Sequence, residues 1–383
     1  MKLSDKVLLG VGQSEIESPH ILFVFRRKRR ERLAIYQAGE GPNESFYGFT
    51  FFKQQHFSTS FIEGGSDNRN LLNWFWLPFE QRIARRIKMG FVFDLALTNV
   101  NKLRQADVII STVDACGLPI AMLKYLGVLN TPLIYISQGL SDRIDLLAKG
   151  TWSRSTFQEL YGRFLSAADR VIALGEGAAE HLTRTFQFRP NQVSCIPFGI
   201  DNRFWSPNPD LSHRDYILSV GSDRARDYIT LLKAVAEERL KIVTRQSIPQ
   251  SLMKETTEVD SKFTHIELRN LYRGARFVIT PLKNVFQPSG QSATLQAMAC
   301  GKPVILTRTR GLWDPKQMCH LENCYLVEPG DVDGLRAAID YFLNRPDEVI
   351  RIGRNARKTV ENSYNSHSFA NELELLINEV IVR

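Results

Sequence analysis

The sequence predicts an α/β fold in which two domains each contain a parallel sheet covered by helices. Short apolar runs, bounded by Gly, Pro or polar residues, recur along the chain without the alternation of a half-exposed strand. Such runs are typical of parallel strands that are buried on both faces. Helical patterns alternate with the runs, which indicates repeated β–α–β units. A turn-rich break near the middle separates two halves, each long enough to form its own core.

The apolar runs predict the strands in chain order. They are His20–Phe25, Val108–Val113, Leu133–Ser137, Val171–Leu174, Ile217–Val220, Phe277–Thr280, Val304–Thr307 and Tyr325–Val327. A helix follows the fifth run, because apolar residues from Tyr228 to Ala236 share one face, and Asp223 or Asp227 is its candidate N-cap. The segment Asn371–Val382 is also amphipathic and could pack on either half.

The central break contains Pro207, Asn208, Pro209 and Asp210, which favour a turn over a helix or strand. We therefore predict an N-terminal domain over residues 1–205 and a C-terminal domain over residues 206–365. A C-terminal helix is expected over residues 366–383.

Composition narrows the class of protein. The 383 residues are 43% hydrophobic and 23% charged, which excludes a mainly disordered, collagen-like or disulfide-stapled chain. The net charge of +8 permits anionic partners such as phosphorylated ligands, nucleic acid or an acidic membrane. The five cysteines form no CxxC pair, which favours buried thiols in a reducing compartment. There is no 18-residue apolar stretch and no signal-peptide pattern, so the cytoplasm is the expected location.

The segment QPSGQSATLQAMACGKPVILTRTR, residues 287–310, carries the most chemical information. A glycine turn leads into a helix with Ser292 or Thr294 near its start, and Gly301 is the predicted residue just past its end. The free N–H groups and the positive dipole at such a helix start can bind an anion. A plain loop–helix–strand unit is the alternative.

This segment resembles the corresponding part of the family 4 retaining glycosyltransferases, and other segments resemble landmarks of that family in the same order. They are IYQAGEGPNESFYGF, ADRVIALGEGAAEHL, IPFGIDNRFW, LYRGARFVITP, LVEPGDVDGLRAAI and GRNARKTVENSY. The resemblance implies a GT-B fold, with two Rossmann-like domains facing each other across a cleft. It also implies retaining transfer of a sugar from a nucleotide-diphosphate sugar to a glycan or lipid-linked acceptor, with no cofactor and no metal.

The resemblance implies roles for residues of the donor loop. The family's two glutamates fall on Pro288 and Gln296. Gln296 is expected to hold the donor ribose, because an amide both donates and accepts hydrogen bonds, and a glutamate there should be tolerated. Gln291 is the expected substitute for the sugar-contacting glutamate, with Ser289 as the second candidate. Because both glutamates are missing, a non-catalytic relative that only binds a nucleotide sugar stays open.

Gly290 and Ser292 complete the expected donor loop. Two arginines are expected at the donor diphosphate: Arg226 falls on the family's lysine position, and Arg224 is the replacement for the family's arginine. Preorganised cations there would stabilise the leaving group as its charge grows. Surface arginines at a helix entry are the alternative.

In the N-terminal domain, Gly39, Gly41 and Pro42 form a loop after a predicted strand at residues 34–36, and its glycines would let the backbone approach the donor closely. A simple turn between a strand and a helix is the alternative. Gln138 takes the place of a family histidine that faces the transferred sugar. The pair Asp331 and Asp333 imitates a metal-binding motif of other glycosyltransferases. Because it precedes a helix pattern, we predict that it caps the helix and binds no metal.

Two basic stretches, Arg26–Arg32 and residues 71–88, remain. The second combines the aromatic residues Trp74–Trp76 with Arg82, Arg85, Arg86 and Lys88. Aromatic anchors beside basic residues on an amphipathic helix suit an anionic membrane surface, so peripheral association with the cytoplasmic face of a membrane is expected. A domain helix with a solvated face is equally open. Nucleic-acid binding is the third alternative, and no recognised nucleic-acid-binding module accompanies the charge.

Overall fold

The structure is a computed structural model of the chain. It describes residues 18–55, 57–64, 91–147, 152–208 and 215–382, together with the single positions 78 and 81. Over these residues, none of the helices combines the length and the apolar character that crossing a membrane requires.

The N-terminal half forms a six-stranded parallel sheet with strand order β2-β1-β3-β4-β5-β6. The strands are β1 His20–Phe25, β2 Ser58–Glu63, β3 Val108–Ser111, β4 Leu133–Ser137, β5 Arg170–Ala173 and β6 Val193–Cys195. Strands β3, β4 and β5 are buried at every position. The register pairs Ile21 with Val108 and Ile109 with Leu133.

The C-terminal half forms a second six-stranded parallel sheet with strand order β12-β11-β10-β7-β8-β9. The strands are β7 Ile217–Val220, β8 Leu240–Val243, β9 Thr257–Asp260, β10 Val278–Thr280, β11 Val304–Thr307 and β12 Tyr325–Val327. The predicted α/β class with two parallel sheets is therefore confirmed.

Helices connect and cover the strands. In the N-terminal half they are α1 Arg29–Gln37, α2 Phe49–Phe52, α3 Phe93–Thr98, α4 Val100–Gln105, α5 Asp114–Tyr125, α6 Leu140–Asp145, α7 Trp152–Ser166 and α8 Glu176–Thr185. In the C-terminal half they are α9 Tyr228–Ala234, α10 His265–Gly274, α11 Gln291–Ala299, α12 Val332–Asn344, α13 Pro346–Ser363 and α14 Ser366–Ile381. Short 3₁₀ turns occur at Glu44–Phe46 and Gln250–Leu252.

Four strands escape sequence-based prediction: β2, β6, β8 and β9. Three of them, β2, β6 and β9, lie at the edges of their sheets. An edge strand has one neighbour and is less buried, so it can carry polar residues. In β9, for example, three of the four residues are exposed. Strand β8 contains Lys241, which interrupts its apolar run.

The C-terminal helix α14 packs on the N-terminal domain, one of the two alternatives that the sequence left open. The Phe369 ring lies 6.1 Å from the ring of Tyr47 and 6.3 Å from the ring of Phe198. Near the other end of the helix, Arg170 of β5 forms an ion pair with Glu379 at 2.6 Å. The chain thus passes twice between the domains, before β7 and again before α14.

Candidate active site between the two domains

A cleft of about 470 Å³ lies between the domains, next to the carboxyl ends of several strands. Gln138 directly follows β4, and Gly221 directly follows β7. The lining from the N-terminal half includes Arg29, Arg32, Pro42, Glu44, Tyr47 and Gln138, and that from the C-terminal half includes Gly221, Asp223, Arg226, Pro288, Ser289, Gly290, Gln291, Ser292 and Gln296. Open parallel sheets characteristically bind ligands at this end of their strands.

Helix α11 begins at the cleft. Its N-cap is Gly290, which has the left-handed φ of 75°. A side chain at this position would come within 2.5 Å of Thr280 and 3.2 Å of the Arg226 guanidinium, so glycine is required for space as well as for conformation. The helix ends at Ala299, and Gly301 has φ of 74°, as the sequence predicted. The first backbone N–H groups of the helix have no acceptor within the helix, and they point out of its N-terminal end, which lies at the cleft.

Arg226 lies beside this helix start and is only 4% exposed. Its Nε donates to Asp223 at 2.8 Å, whereas its Nη1 is buried and has no hydrogen-bond partner among the described residues. Gly221 makes room for the guanidinium, because a Cβ there would lie 2.0 Å from the Arg226 Nε. A buried cation with an unused donor, next to a helix N-terminus, is suited to bind an anion.

Asp223 links the arginine to the donor loop. Its carboxylate accepts hydrogen bonds from Arg226 and from the Ser289 hydroxyl. Arg224 has a different environment: it is exposed and does not line the cleft. Of the two arginines predicted to face the diphosphate, only Arg226 is therefore positioned to do so without rearrangement.

Gln291 reaches across to the N-terminal domain. Its buried Nε2 donates to the Leu174 carbonyl at 3.1 Å. Nearby, the backbone N–H of Gln287 donates to Asp142 at 2.6 Å, and the Phe286 ring stacks on His181 at 4.0 Å. These contacts hold the two domains together along one side of the cleft and occupy the amide nitrogen of Gln291.

Glu44 lies at the floor of the cleft and is only 7% exposed. Its Oε1 accepts from the Trp205 indole at 2.8 Å and from Gln296 Nε2 at 3.1 Å, and its Oε2 accepts from the Asp201 N–H at 3.2 Å. Burial raises the pKa of Glu44 to about 7, against the lowering effect of the hydrogen bond from Trp205, and the nearby Asp201 carboxylate raises it as well. Sequence reasoning missed this residue, whose only signal was an acidic side chain within the glycine loop.

Gln296 is fixed by three contacts. Its Nε2 donates to Glu44 and to the Ser292 hydroxyl at 3.2 Å, and its Oε1 accepts from the Tyr272 hydroxyl at 3.3 Å. A glutamate at 296 would place a second carboxylate against Glu44. The sequence predicts that Gln296→Glu is tolerated. The contact with Glu44 predicts the opposite, because two close carboxylates cannot both ionise without a cost in free energy.

Gln138 lies on the opposite wall of the cleft. Its Nε2 donates to the Tyr47 hydroxyl at 2.5 Å and to the Thr112 carbonyl at 2.7 Å. Its backbone N–H donates at 2.9 Å to Asp114, whose pKa is raised by burial. The neutral side chain at this position is thus held rigidly at the cleft surface.

Gly39 and Gly41 lie outside this cleft. They follow helix α1, so the strand predicted at residues 34–36 is wrong. They line a separate cavity of about 590 Å³, together with Asn43. The residues that follow in the loop are divided between the two spaces: Asn43 lines the separate cavity, whereas Pro42 and Glu44 line the cleft. A Cβ at Gly41 would lie 2.8 Å from Ile35, so close packing within the protein accounts for this glycine. The structure therefore brings seven predicted site residues together, namely Gln138, Arg226, Ser289, Gly290, Gln291, Ser292 and Gln296, and leaves Arg224, Gly39 and Gly41 outside.

Asp331 caps helix α12, accepting from the Gly334 N–H at 2.8 Å, as the sequence predicted. Among the described residues, no group of three or more His, Cys, Asp or Glu side chains could hold a metal ion. The segment of residues 71–88, to which membrane association was assigned, lies outside the described residues apart from Pro78 and Gln81.

The two sheets and the cleft between them define the GT-B class of glycosyltransferases. The structure superposes on sucrose-phosphate synthase from Thermosynechococcus elongatus with a TM-score of 0.70 and 17% identity, over 95% of this chain and 99% of that chain. Anabaena HepE, in its complex with UDP-glucose, gives a TM-score of 0.64 and 14% identity, over 94% of this chain and 99% of that chain. The predicted GT-B fold is therefore confirmed.

Sequence comparison identifies the family. A family model described as "Glycosyl transferases group 1" matches residues 219–345, and one described as "Glycosyltransferase Family 4" matches residues 67–204. The chain belongs to these family 4, group 1 glycosyltransferases. A curated relative, the MMP alpha-(1->4)-mannosyltransferase of Mycolicibacterium hassiacum, is 24% identical over 263 residues, which are 63% of this chain and 62% of the relative.

Proposed function

We propose that this protein transfers a sugar from a nucleotide-diphosphate sugar to an acceptor, with retention at the anomeric carbon and without a metal ion. The observation that carries the proposal is the buried Arg226 Nη1, which has no partner in the described part of the chain and lies beside the N-cap of α11. A diphosphate oxygen would satisfy this donor and interact favourably with the helix dipole. HepE, which has the same fold, was solved with UDP-glucose.

The diphosphate is the leaving group of the proposed reaction. The bond from the anomeric carbon to the diphosphate oxygen breaks, and the bond to the acceptor oxygen forms on the same face of the sugar. The acceptor's proton passes to the departing diphosphate. Arg226 and the start of α11 would stabilise the growing negative charge, because they are already oriented before the reaction. These fixed charges could therefore do the work that a divalent cation does elsewhere.

The carboxylates that line the cleft support transfer without a covalent intermediate. Glu44 accepts hydrogen bonds on both oxygens, and Asp223 is held by Arg226 and Ser289. These contacts assign both carboxylates a role in holding the cleft together. Same-face departure and attack, assisted by the diphosphate, requires no protein nucleophile.

The acceptor is proposed to enter along the N-terminal wall and to carry a negatively charged group, as a lipid-linked or glycan phosphate does. Arg29 and Arg32 both line this wall. The Arg29 Nε is buried and has no hydrogen-bond partner among the described residues, and burial together with the nearby Arg32 lowers the pKa of Arg29. An anion would accept a hydrogen bond from the Arg29 Nε and would raise the pKa of Arg29 again. Residues 71–88 are proposed to bring the protein to an anionic membrane surface.

A thermal-shift screen against UDP, GDP, ADP and their sugar conjugates tests the donor part of this proposal. A ligand at 100 times its dissociation constant should stabilise the protein by about 2.7 kcal/mol. The matching nucleotide sugar should then be consumed in the presence of an acceptor extract. Absence of stabilisation by every nucleotide diphosphate and sugar conjugate would refute the proposed donor class.

A second candidate is a relative that binds a nucleotide sugar but transfers nothing. It is favoured by one observation: the amide nitrogen of Gln291, the expected sugar contact, is already bonded to Leu174. In that case nucleotide sugars should stabilise the protein as strongly as expected for a transferase. No donor should be consumed with any acceptor, and no free diphosphate should be released.

A further inference from the structure

Glu44 connects the two domains beneath the cleft. It belongs to the N-terminal domain, but its hydrogen-bond donors lie elsewhere in the chain. Gln296 is on helix α11 of the C-terminal domain, whereas Asp201 and Trp205 lie on the segment that passes between the domains. One of the three donors to the Glu44 carboxylate therefore comes from the opposite domain, and the other two come from the segment that joins the domains.

The chemistry of these contacts requires an acceptor at Glu44. The Trp205 indole, the Gln296 amide nitrogen and the Asp201 backbone are all N–H donors. An ionised carboxylate accepts from all three. A protonated carboxyl presents an O–H donor to one of these N–H donors, so protonation weakens this set of hydrogen bonds. Donation to Glu44 also fixes which way the Gln296 amide faces, with its Oε1 toward Tyr272.

We propose that Glu44 is a positioning residue for the nucleotide donor: its ionised carboxylate holds the Gln296 amide and the domain junction in the arrangement that binds the nucleotide. This inference rests on the proposed function, because it assumes that the cleft binds a nucleoside diphosphate. On this inference, the protein binds the nucleotide when Glu44, a residue outside the donor loop, is ionised.

The titratable groups around Glu44 come from several elements. Asp201 holds a negative charge beside it and itself accepts from the N–H groups of Asn43 and Phe204. On helix α10, the pKa of His265 is lowered by burial and by Arg32. Tyr272 on the same helix has a pKa raised by burial.

Arg226 and Arg32 line the same cleft as cations. Because burial raises the pKa of Glu44 to about 7, the Glu44 carboxyl changes its charge between pH 6 and 8.

Calorimetric titration with UDP, GDP and ADP between pH 6 and pH 8 tests the inference. The terminal phosphate of the nucleotide also titrates in this range, so the quantity that isolates Glu44 is the ratio of wild-type to variant affinity. If only the ionised state of Glu44 binds, Glu44→Gln should bind more weakly than wild type at pH 8, and the ratio of wild-type to variant affinity should rise about tenfold from pH 6 to pH 8. Glu40→Gln, a neighbouring exposed carboxylate in the same loop, is the matched control and should behave as wild type.

A charge exchange separates positioning from a merely structural role. Gln296→Glu alone should weaken binding at pH 8 by about 5- to 150-fold, because two carboxylates then face each other. The double variant Glu44→Gln/Gln296→Glu restores one carboxylate and one amide at the same contact, and its affinity should return to within about threefold of wild type.

Three results would overturn the inference, and the third would also refute the proposed function. Wild-type affinity and pH dependence in Glu44→Gln would overturn the inference while leaving the proposed function intact. A double variant that binds no better than Gln296→Glu would also overturn it. If the wild type bound none of the three nucleotides at any pH, both the inference and the proposed function would be refuted.

Discussion

Replacing Glu44 with glutamine should change how the stability of the protein depends on pH. Glu44 has its pKa raised from 4.5 to about 7 in the folded protein. The folded state therefore holds this proton up to a higher pH than the unfolded state does. The stabilisation from that proton is complete below about pH 4.5 and is lost as the pH rises through about 7.

The magnitude follows from the size of the shift. One pKa unit corresponds to about 1.4 kcal/mol, so the shift from 4.5 to about 7 corresponds to about 3 kcal/mol of folding free energy lost between those two pH values. Glutamine cannot titrate. The difference in unfolding free energy between Glu44→Gln and wild type should therefore move by about 3 kcal/mol in favour of the variant from pH 4.5 to pH 8.

Denaturant unfolding of both proteins, followed by tryptophan fluorescence at a series of pH values, measures this difference. The hydrogen bonds that the variant loses shift its free energy of unfolding by an amount that does not depend on pH. The effect of Glu44 titration is therefore measured by how the difference between the two proteins changes with pH. Parallel curves for wild type and Glu44→Gln between pH 4.5 and pH 8 would refute the account of Glu44. Glu40→Gln should give a curve parallel to that of wild type, because Glu40 is exposed.

The remaining predictions concern the donor, the metal and the membrane. Gln296→Ala should weaken nucleotide binding by about 5- to 150-fold, measured by calorimetry, because it leaves buried polar groups unpaired; equal binding would remove Gln296 from the site. Transfer should persist in excess EDTA, and a loss that manganese restores would show that a metal takes part. Changing Arg82, Arg85 and Arg86 to Glu should release the protein from anionic vesicles in a sedimentation assay, since each basic residue contributes about 1 kcal/mol. A wild type that ignores such vesicles at low salt would contradict this.

The sequence predicts the fold where burial leaves a local signal. Eight apolar runs correspond to strands, because strands that are buried on both faces are predominantly apolar. The edge strand Ser58–Glu63 carries polar residues and gives no such run. The donor loop is also predictable, since glycine at 290 and the helix that follows are specified within a few residues.

Contacts between residues far apart in the sequence account for what could not be predicted. Glu44 and Gln296 are separated by 252 residues, and neither position signals the other. Likewise, nothing local distinguishes Arg224 from Arg226. Only the fold shows that one guanidinium is exposed while the other is packed against Gly221 and Gly290.

The proposed donor site lies between Arg226 and the start of helix α11, where a nucleoside diphosphate should bind. Calorimetric titration of Arg226→Ala and Arg224→Ala with the nucleotide that stabilises the wild type tests it most directly. Arg226→Ala should lose about tenfold or more in affinity, because a buried charged donor is removed, whereas Arg224→Ala should bind as wild type. Unchanged affinity in Arg226→Ala, or an equal loss in both variants, would contradict the claim.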